Sequence, residues 1–171
     1  MTIKKMVPQP NLETQNFKLR SPSIEDLEML FQMRIDPENN VFVERTEDKS
    51  RSETKKFLEM ILEGIRNVKW YYWIVESKTL GNFLGIFCLW NFKEDKSLAE
   101  IGFELKTEHR GKGIITEVMP LILEFAEKTL LLSSVQAEVH IDNMASKVHI
   151  LRNDFQKIAS IGHYEIFELK F

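Results

Sequence analysis

The strongest constraint on how this chain can fold is a change of hydrophobic period between residues 98 and 125. Leu98-Ala-Glu-Ile-Gly-Phe-Glu-Leu105 alternates with period two, whereas Ile114, Val118, Leu121, Leu123 and Phe125 recur at helical spacing. Between them lies His109-Arg-Gly-Lys-Gly-Ile-Ile-Thr-Glu117, so the segment reads as a strand, a glycine turn and a helix. Gly111 and Gly113 let the backbone approach a ligand closely, and the first-turn N–H groups of the helix have no intrahelical acceptor. The helix dipole, Arg110 and Lys112 add positive charge, which suits a diphosphate better than a neutral ligand. The spacing is neither a Walker loop nor a dinucleotide fingerprint, because Thr116 stands where the third glycine would be. The same residues would also serve as an ordinary turn with solvated charges.

The rest of the chain supplies a sheet for this unit. Residues 1–16 read as a polar lead-in and 17–171 as one domain. Phe17-Lys-Leu-Arg-Ser21 alternates as a first strand, and Ser23 with Asp26 marks a helix start that Pro37 stops. Residues 37–49 show no period and read as a loop. Ser50 and Glu53 form a second capping pattern, followed by a stripe of Phe57, Ile61 and Ile65. Tyr71–Ser77 and Phe83–Asn91 read as a hairpin around Leu80-Gly-Asn82, and Leu98–Leu105 continues the antiparallel meander. Pro120 removes one backbone donor from the helix after the glycine turn, which predicts a bend or a loosened turn there. Ser134–Ile141 alternates as a strand and implies a parallel crossover, with Met144 to about Asp154 a last helix and Tyr164–Phe171 a last strand. Gln156–Gly162 reads as a short connection. The fold class is α/β, with a mixed, mostly antiparallel sheet and helices on both faces.

At 171 residues the chain can bury about 70% of its unfolded surface, and 43% hydrophobic with 29% charged residues describes a folded protein. A net charge of −3 argues against non-specific nucleic-acid binding. The single cysteine excludes an internal disulfide, and no His/Cys spacing suits a structural metal. With no signal-like or membrane-length apolar stretch, the sequence reads as that of a cytoplasmic protein.

Residues 99–117, from Ala-Glu-Ile-Gly-Phe-Glu-Leu through His-Arg-Gly-Lys-Gly-Ile-Ile-Thr-Glu, resemble the acetyl-coenzyme-A signature of the GNAT N-acyltransferases. The nearest flavour is the ribosomal-protein N-terminal acetyltransferases. Arg110 and Gly113 fit the family pattern of Arg or Gln, two residues, Gly, one residue, then Gly or Ala; Ile115 replaces the last small residue. The resemblance implies the GNAT fold, with two central strands splayed around the coenzyme. It implies a coenzyme wall from Phe103, Leu105, Arg110, Gly111, Lys112, Gly113, Ile114, Ile115 and Asn143.

Amide formation from a thioester needs a base for the amine, a donor for the developing oxyanion and a route out for the thiolate. By period two, Glu100 and Glu104 share one strand face, with Gly102 leaving room between them. Either could be the base, and both could be solvent-facing carboxylates; the resemblance favours Glu100. It also implies an oxyanion donor at the backbone near Leu105. Many GNAT enzymes carry a tyrosine acid seven residues after an asparagine, but Asn143 leads here to Ile150. Asn143-Met-Ala-Ser146 instead resembles the Asn-x-x-Ser of the ribosomal-protein branch, which implies that Ser146 assists thiolate departure. The same residues are ordinary helix-start residues. Asp154, within Leu151-Arg-Asn-Asp-Phe155, stands where that branch has glycine, so a different turn is expected.

Cys88, between Phe87 and Leu89, reads as a buried structural thiol, and His109, His140, His149 and His163 lack metal spacing. Trp70, Tyr71, Tyr72, Trp73 and Trp90 suit a core, or else an acceptor groove. The expectation is an acetyl-CoA-dependent N-acetyltransferase without a metal, acting on a primary amine and foremost on a protein N-terminal α-amine. A small amine or aminoglycoside acceptor, a non-catalytic coenzyme-binding protein and a coenzyme-free domain are the alternatives. No nucleic-acid or membrane partner is expected, and either a monomer or a homodimer is.

Overall fold

The computed structural model describes residues 6–45 and 50–171. Its elements run β1 (Leu12–Glu13), β2 (Phe17–Arg20), α1 (Leu27–Ile35), α2 (Pro37–Asn40), α3 (Arg51–Arg66), β3 (Tyr71–Ser77), β4 (Phe83–Trp90), β5 (Leu98–Leu105), α4 (Ile114–Glu124), β6 (Ser134–His140), α5 (Met144–Arg152), β7 (Gln156–Ile161) and β8 (Tyr164–Lys170). One sheet holds the strands in the order β1-β2-β3-β4-β5-β6-β8-β7. Every pairing is antiparallel except β5 with β6, so the expected crossover through α4 is present.

Alternation along the central strands feeds two cores. Trp73, Phe87, Leu89, Ala99 and Ile101 meet α4 on one face, where Val118, Met119 and Ile122 are buried. Trp73 and Phe87 are fully buried, each contributing about 2–3 kcal/mol of hydrophobic stabilisation. Leu30, Met33, Leu58 and Ile61 of α1 and α3 meet Tyr72, Ile74 and Ile86 on the other face. The buried stripe of α4 is Ile114, Ile115, Val118, Met119, Ile122 and Leu123, while Leu121 is only half-buried. The helix runs on through Pro120 and ends in a wider π turn, Phe125–Thr129.

Local signals explain most boundaries. Ser23 and Asp26 form a reciprocal capping box, and Arg20 grips the Asp26 carboxylate with both terminal nitrogens. Ser50 Oγ accepts from Glu53 N at 3.3 Å to start α3. The described part of the lead-in is tied down: Pro10 O accepts from Trp73 Nε1, and Gln9 bonds the Tyr72 backbone through both ends of its amide.

Three expectations need correction. α1 ends at Ile35, just before Pro37 as expected, but the segment after it is not all loop: Pro37 opens the single turn α2, for which Asp36 Oδ1 caps Glu38 N at 3.0 Å, and residues 46–49 of the expected loop lie outside the described residues. Proline suits the first helical position, where no N–H bond is lost. Gln156–Gly162 is not a bare connection, because Gln156–Ile161 forms edge strand β7 against β8. Its exposed side chains conceal any apolar alternation. Asp154 takes φ 64°, so this aspartate adopts the left-handed conformation usually given to glycine.

Candidate functional site

The site begins where two parallel strands part. β5 and β6 pair only over Leu98–Glu100 and Ser134–Gln136, and beyond that point they diverge. Lys106 N donates to Leu84 O on β4, so strand alternation turns the Leu105 N–H to the opposite, open edge. The Leu105 carbonyl faces the same way, accepting from Asn39 Nδ2 at 3.1 Å.

A cavity of about 230 Å³ occupies this opening. Phe103, Leu105, Arg110, Gly111, Gly113, Ile114, Ile115, Asn143 and Ser146 line it, which brings together most of the residues singled out from sequence. Lys112 is exposed on the turn and is not part of the wall. Gly111 and Gly113 have φ 71° and 78°, and a Cβ on either would meet nothing within 4 Å. Conformation rather than crowding therefore demands glycine at these positions. The empty space before the first turn of α4, together with the free edge of β5, suits a chain ending in a diphosphate.

Asn143 caps α5, its Oδ1 accepting from Ser146 N at 3.1 Å, so the helix-start role is present and Nδ2 remains as a donor. Ile150 is fully buried in the core, one residue beyond the cavity-lining His149. Ser146 and His149 are thus the polar side chains that α5 presents beside Asn143. Burial first, then Arg152, lowers the His149 pKa from 6.5. The unfolded chain then takes up this proton first, so stability present above pH 6.5 is lost as pH falls below it. Denaturation midpoints measured between pH 7 and 5 should show this loss, and His149→Gln should reduce it; an unaltered pH slope would mean a solvated ring.

A second cavity, of about 610 Å³, shares Phe42, Val43, Phe103 and Glu104 with the first. Glu100, Gly102 and Glu104 face it, opposite Trp90, Cys88 and Ile86 on β4. The two carboxylates do share a face, but their settings differ. Glu104 is held by Arg45 in a two-pronged ion pair at 2.8 and 3.0 Å and by Asn39 Nδ2 at 2.9 Å. Glu100 takes one bond, from Asn91 Nδ2 at 2.7 Å, and its other oxygen receives none from the described residues. The space beside Gly102 is partly filled by a thiol: a Cβ there would lie 2.9 Å from Cys88 Sγ. Burial pushes the Cys88 thiol up to about 12, leaving no useful thiolate at neutral pH. Trp70, Tyr72 and Trp90 reach the cavity, while Trp73 belongs to the α4-side core.

Sequence reasoning misses Asn39, Phe42, Arg45 and Glu138. Asn39 is 4% exposed and joins the two cavities, since its Oδ1 accepts from Thr107 Oγ1 and Arg110 Nη2 while Nδ2 serves Glu104 and Leu105. Among the described residues no cluster of His, Cys, Asp or Glu is placed to hold a metal ion. No described helix is long and apolar enough to cross a membrane.

Comparison with known proteins assigns the class. Residues 16–156 match the model of the acetyltransferase (GNAT) domain, and the chain belongs to this family of acetyl-CoA-dependent acetyltransferases. An uncharacterized N-acetyltransferase, p20, of Bacillus licheniformis is 28% identical over 159 residues, 90% of this chain and 86% of its own. Among solved structures, the nucleotide-linked sugar GNAT FdhC superposes with a TM-score of 0.82 at 20% identity, covering 95% of this chain and 90% of that one. The ribosomal L7/L12 α-N-protein acetyltransferase RimL, in complex with coenzyme A, gives 0.78 at 15% identity, covering 92% and 95%.

Proposed function

We propose that this protein transfers an acetyl group from acetyl-CoA to a protein N-terminal α-amine by direct attack in a ternary complex. The observation that carries the reading is the pair of cavities meeting at the free end of β5, one suited to the coenzyme and the other holding Glu100. The β7–β8 hairpin turns tightly at Gly162 and His163 and contributes only Tyr164 to the described lining of the second cavity, which supports an extended acceptor.

Acetyl-CoA supplies the thioester. In the wall beside it, Arg110 and the N–H groups of Ile114 and Ile115 would meet the diphosphate, and Asn143 Nδ2 the pantetheine. Glu100 accepts the proton released by the acceptor ammonium, directly or through a water, and so frees the attacking lone pair. As the N–C bond forms and the C–S bond breaks, the Leu105 N–H donates to the carbonyl oxygen on which charge develops. Ser146 supplies a hydroxyl proton to the departing sulfur, and its oxygen takes back, through water, the second proton that the nitrogen sheds as the amide forms. An acyl-cysteine route through Cys88 conflicts with its raised pKa.

A thermal-shift titration tests the coenzyme part of the reading. Coenzyme A and acetyl-CoA should raise the midpoint in a concentration-dependent way, while NAD and ATP should not. No shift at saturating coenzyme would overturn the assignment of the first cavity.

A further inference from the structure

Among the described residues, the carboxylates of the second cavity outnumber its cations. Four carboxylates, Glu44, Glu100, Glu104 and Glu138, share it with the guanidinium groups of Arg34 and Arg45. Arg45 is neutralised by Glu104 at 2.8 Å, and Arg34 lies 3.8 Å over the Phe57 ring. Glu44, Glu100 and Glu138 form no ion pair with a lysine or arginine among the described residues. Tyr164 bonds Glu44, and Asn91 bonds Glu100, both through neutral groups. Burial and then the charges of Glu100 and Glu44 raise the Glu138 pKa, as expected for carboxylates that lack a counter-ion.

The strand register sets the spacing. Glu100 is the partner of Gln136 across β5 and β6, and Glu138 lies two residues further along the same face of β6. Two residues of strand place it roughly 7 Å beyond Gln136. An extended peptide has the same rise per residue. With its α-amine at Glu100, its second or third side chain would reach Glu138 and Glu44. A nucleotide diphosphate in this cavity would meet only repulsion from these groups.

Resting on the N-terminal acceptor reading, we propose that the acceptor carries a second, non-reacting positive charge: a lysine or arginine at position two or three, held by Glu44 and Glu138. These residues would set specificity, while Glu100 would handle the reacting amine.

The test uses the full chain, acetyl-CoA and three hexapeptides that differ only at positions two and three: lysine, norleucine or glutamate. The lysine peptide should exceed the norleucine peptide in kcat/KM on the order of 10-fold, with the glutamate peptide lowest and the differences shrinking at high salt. Glu138→Lys should move the lysine-to-glutamate ratio at least ~10-fold toward the glutamate peptide. Retained stabilisation by coenzyme A would show that this variant is folded. Equal turnover of the three peptides, or a uniform loss in Glu138→Lys, would overturn the specificity proposal and leave the N-terminal reading standing. Turnover of none would overturn both.

Discussion

Replacing Glu100 with glutamine is expected to lower kcat about 100-fold or more while leaving coenzyme affinity unchanged, because the change removes only the proposed proton acceptor. The amide has the shape of the carboxylate and retains an oxygen for Asn91 Nδ2, so packing is preserved. Steady-state kinetics beside a coenzyme titration separates the two effects. Glu104→Gln is the informative contrast. Its carboxylate neutralises a largely buried Arg45, both side chains being 14% exposed, so its loss should appear as reduced stability and a raised acceptor KM. A Glu100→Gln protein with normal turnover would pass the base role to another group.

Gly113→Val should act on the other cavity. Valine resists the left-handed conformation required at φ 78°, which costs about 1–2 kcal/mol of stability. Relaxing that strain re-aims the N–H groups of the first turn of α4. Losing two hydrogen bonds to a charged ligand, each about 1.5–3 kcal/mol, weakens coenzyme binding by roughly 100-fold or more. Calorimetric titration of the variant with coenzyme A measures this directly. Binding as tight as that of the parent chain would mean that the turn does not hold the diphosphate.

These two sites differ in how far the amino-acid sequence alone reveals them. The glycine turn is legible because its chemistry is local: φ 71° and 78° at Gly111 and Gly113 are written into residue type, beside an alternation that ends at Leu105. Glu100 and Glu104 are legible as a pair through period two alone. Their unequal surroundings are not, because Arg45 and Asn39 reach Glu104 from 59 and 65 residues away and carry no motif. Asn39 sits in a single turn whose opening proline reads equally well as a helix stop. β7 stays hidden because it is an edge strand whose side chains are mostly exposed, so hydrogen bonding to β8 defines it rather than burial. Asp154 shows the opposite failure. The residue type argues against a left-handed turn, yet the backbone takes φ 64°, a conformation that aspartate reaches more readily than most side-chain-bearing residues. Alternation along β5 gives the space beside Gly102 to a ligand, whereas Cys88 from the paired strand takes part of it, a cross-strand contact invisible along one strand.

Amine acetylation at the parted strands and the open cavity beside them is a reaction that can be followed at both of its products. Thiol release from acetyl-CoA, followed with and without an N-terminal peptide and paired with mass analysis of that peptide, tests it most directly. Thiol release should depend on the peptide, be matched one to one by acetylation at its α-amine, and be lost in Glu100→Gln. Coenzyme binding with no acetylated peptide, or release that ignores the peptide, would contradict it.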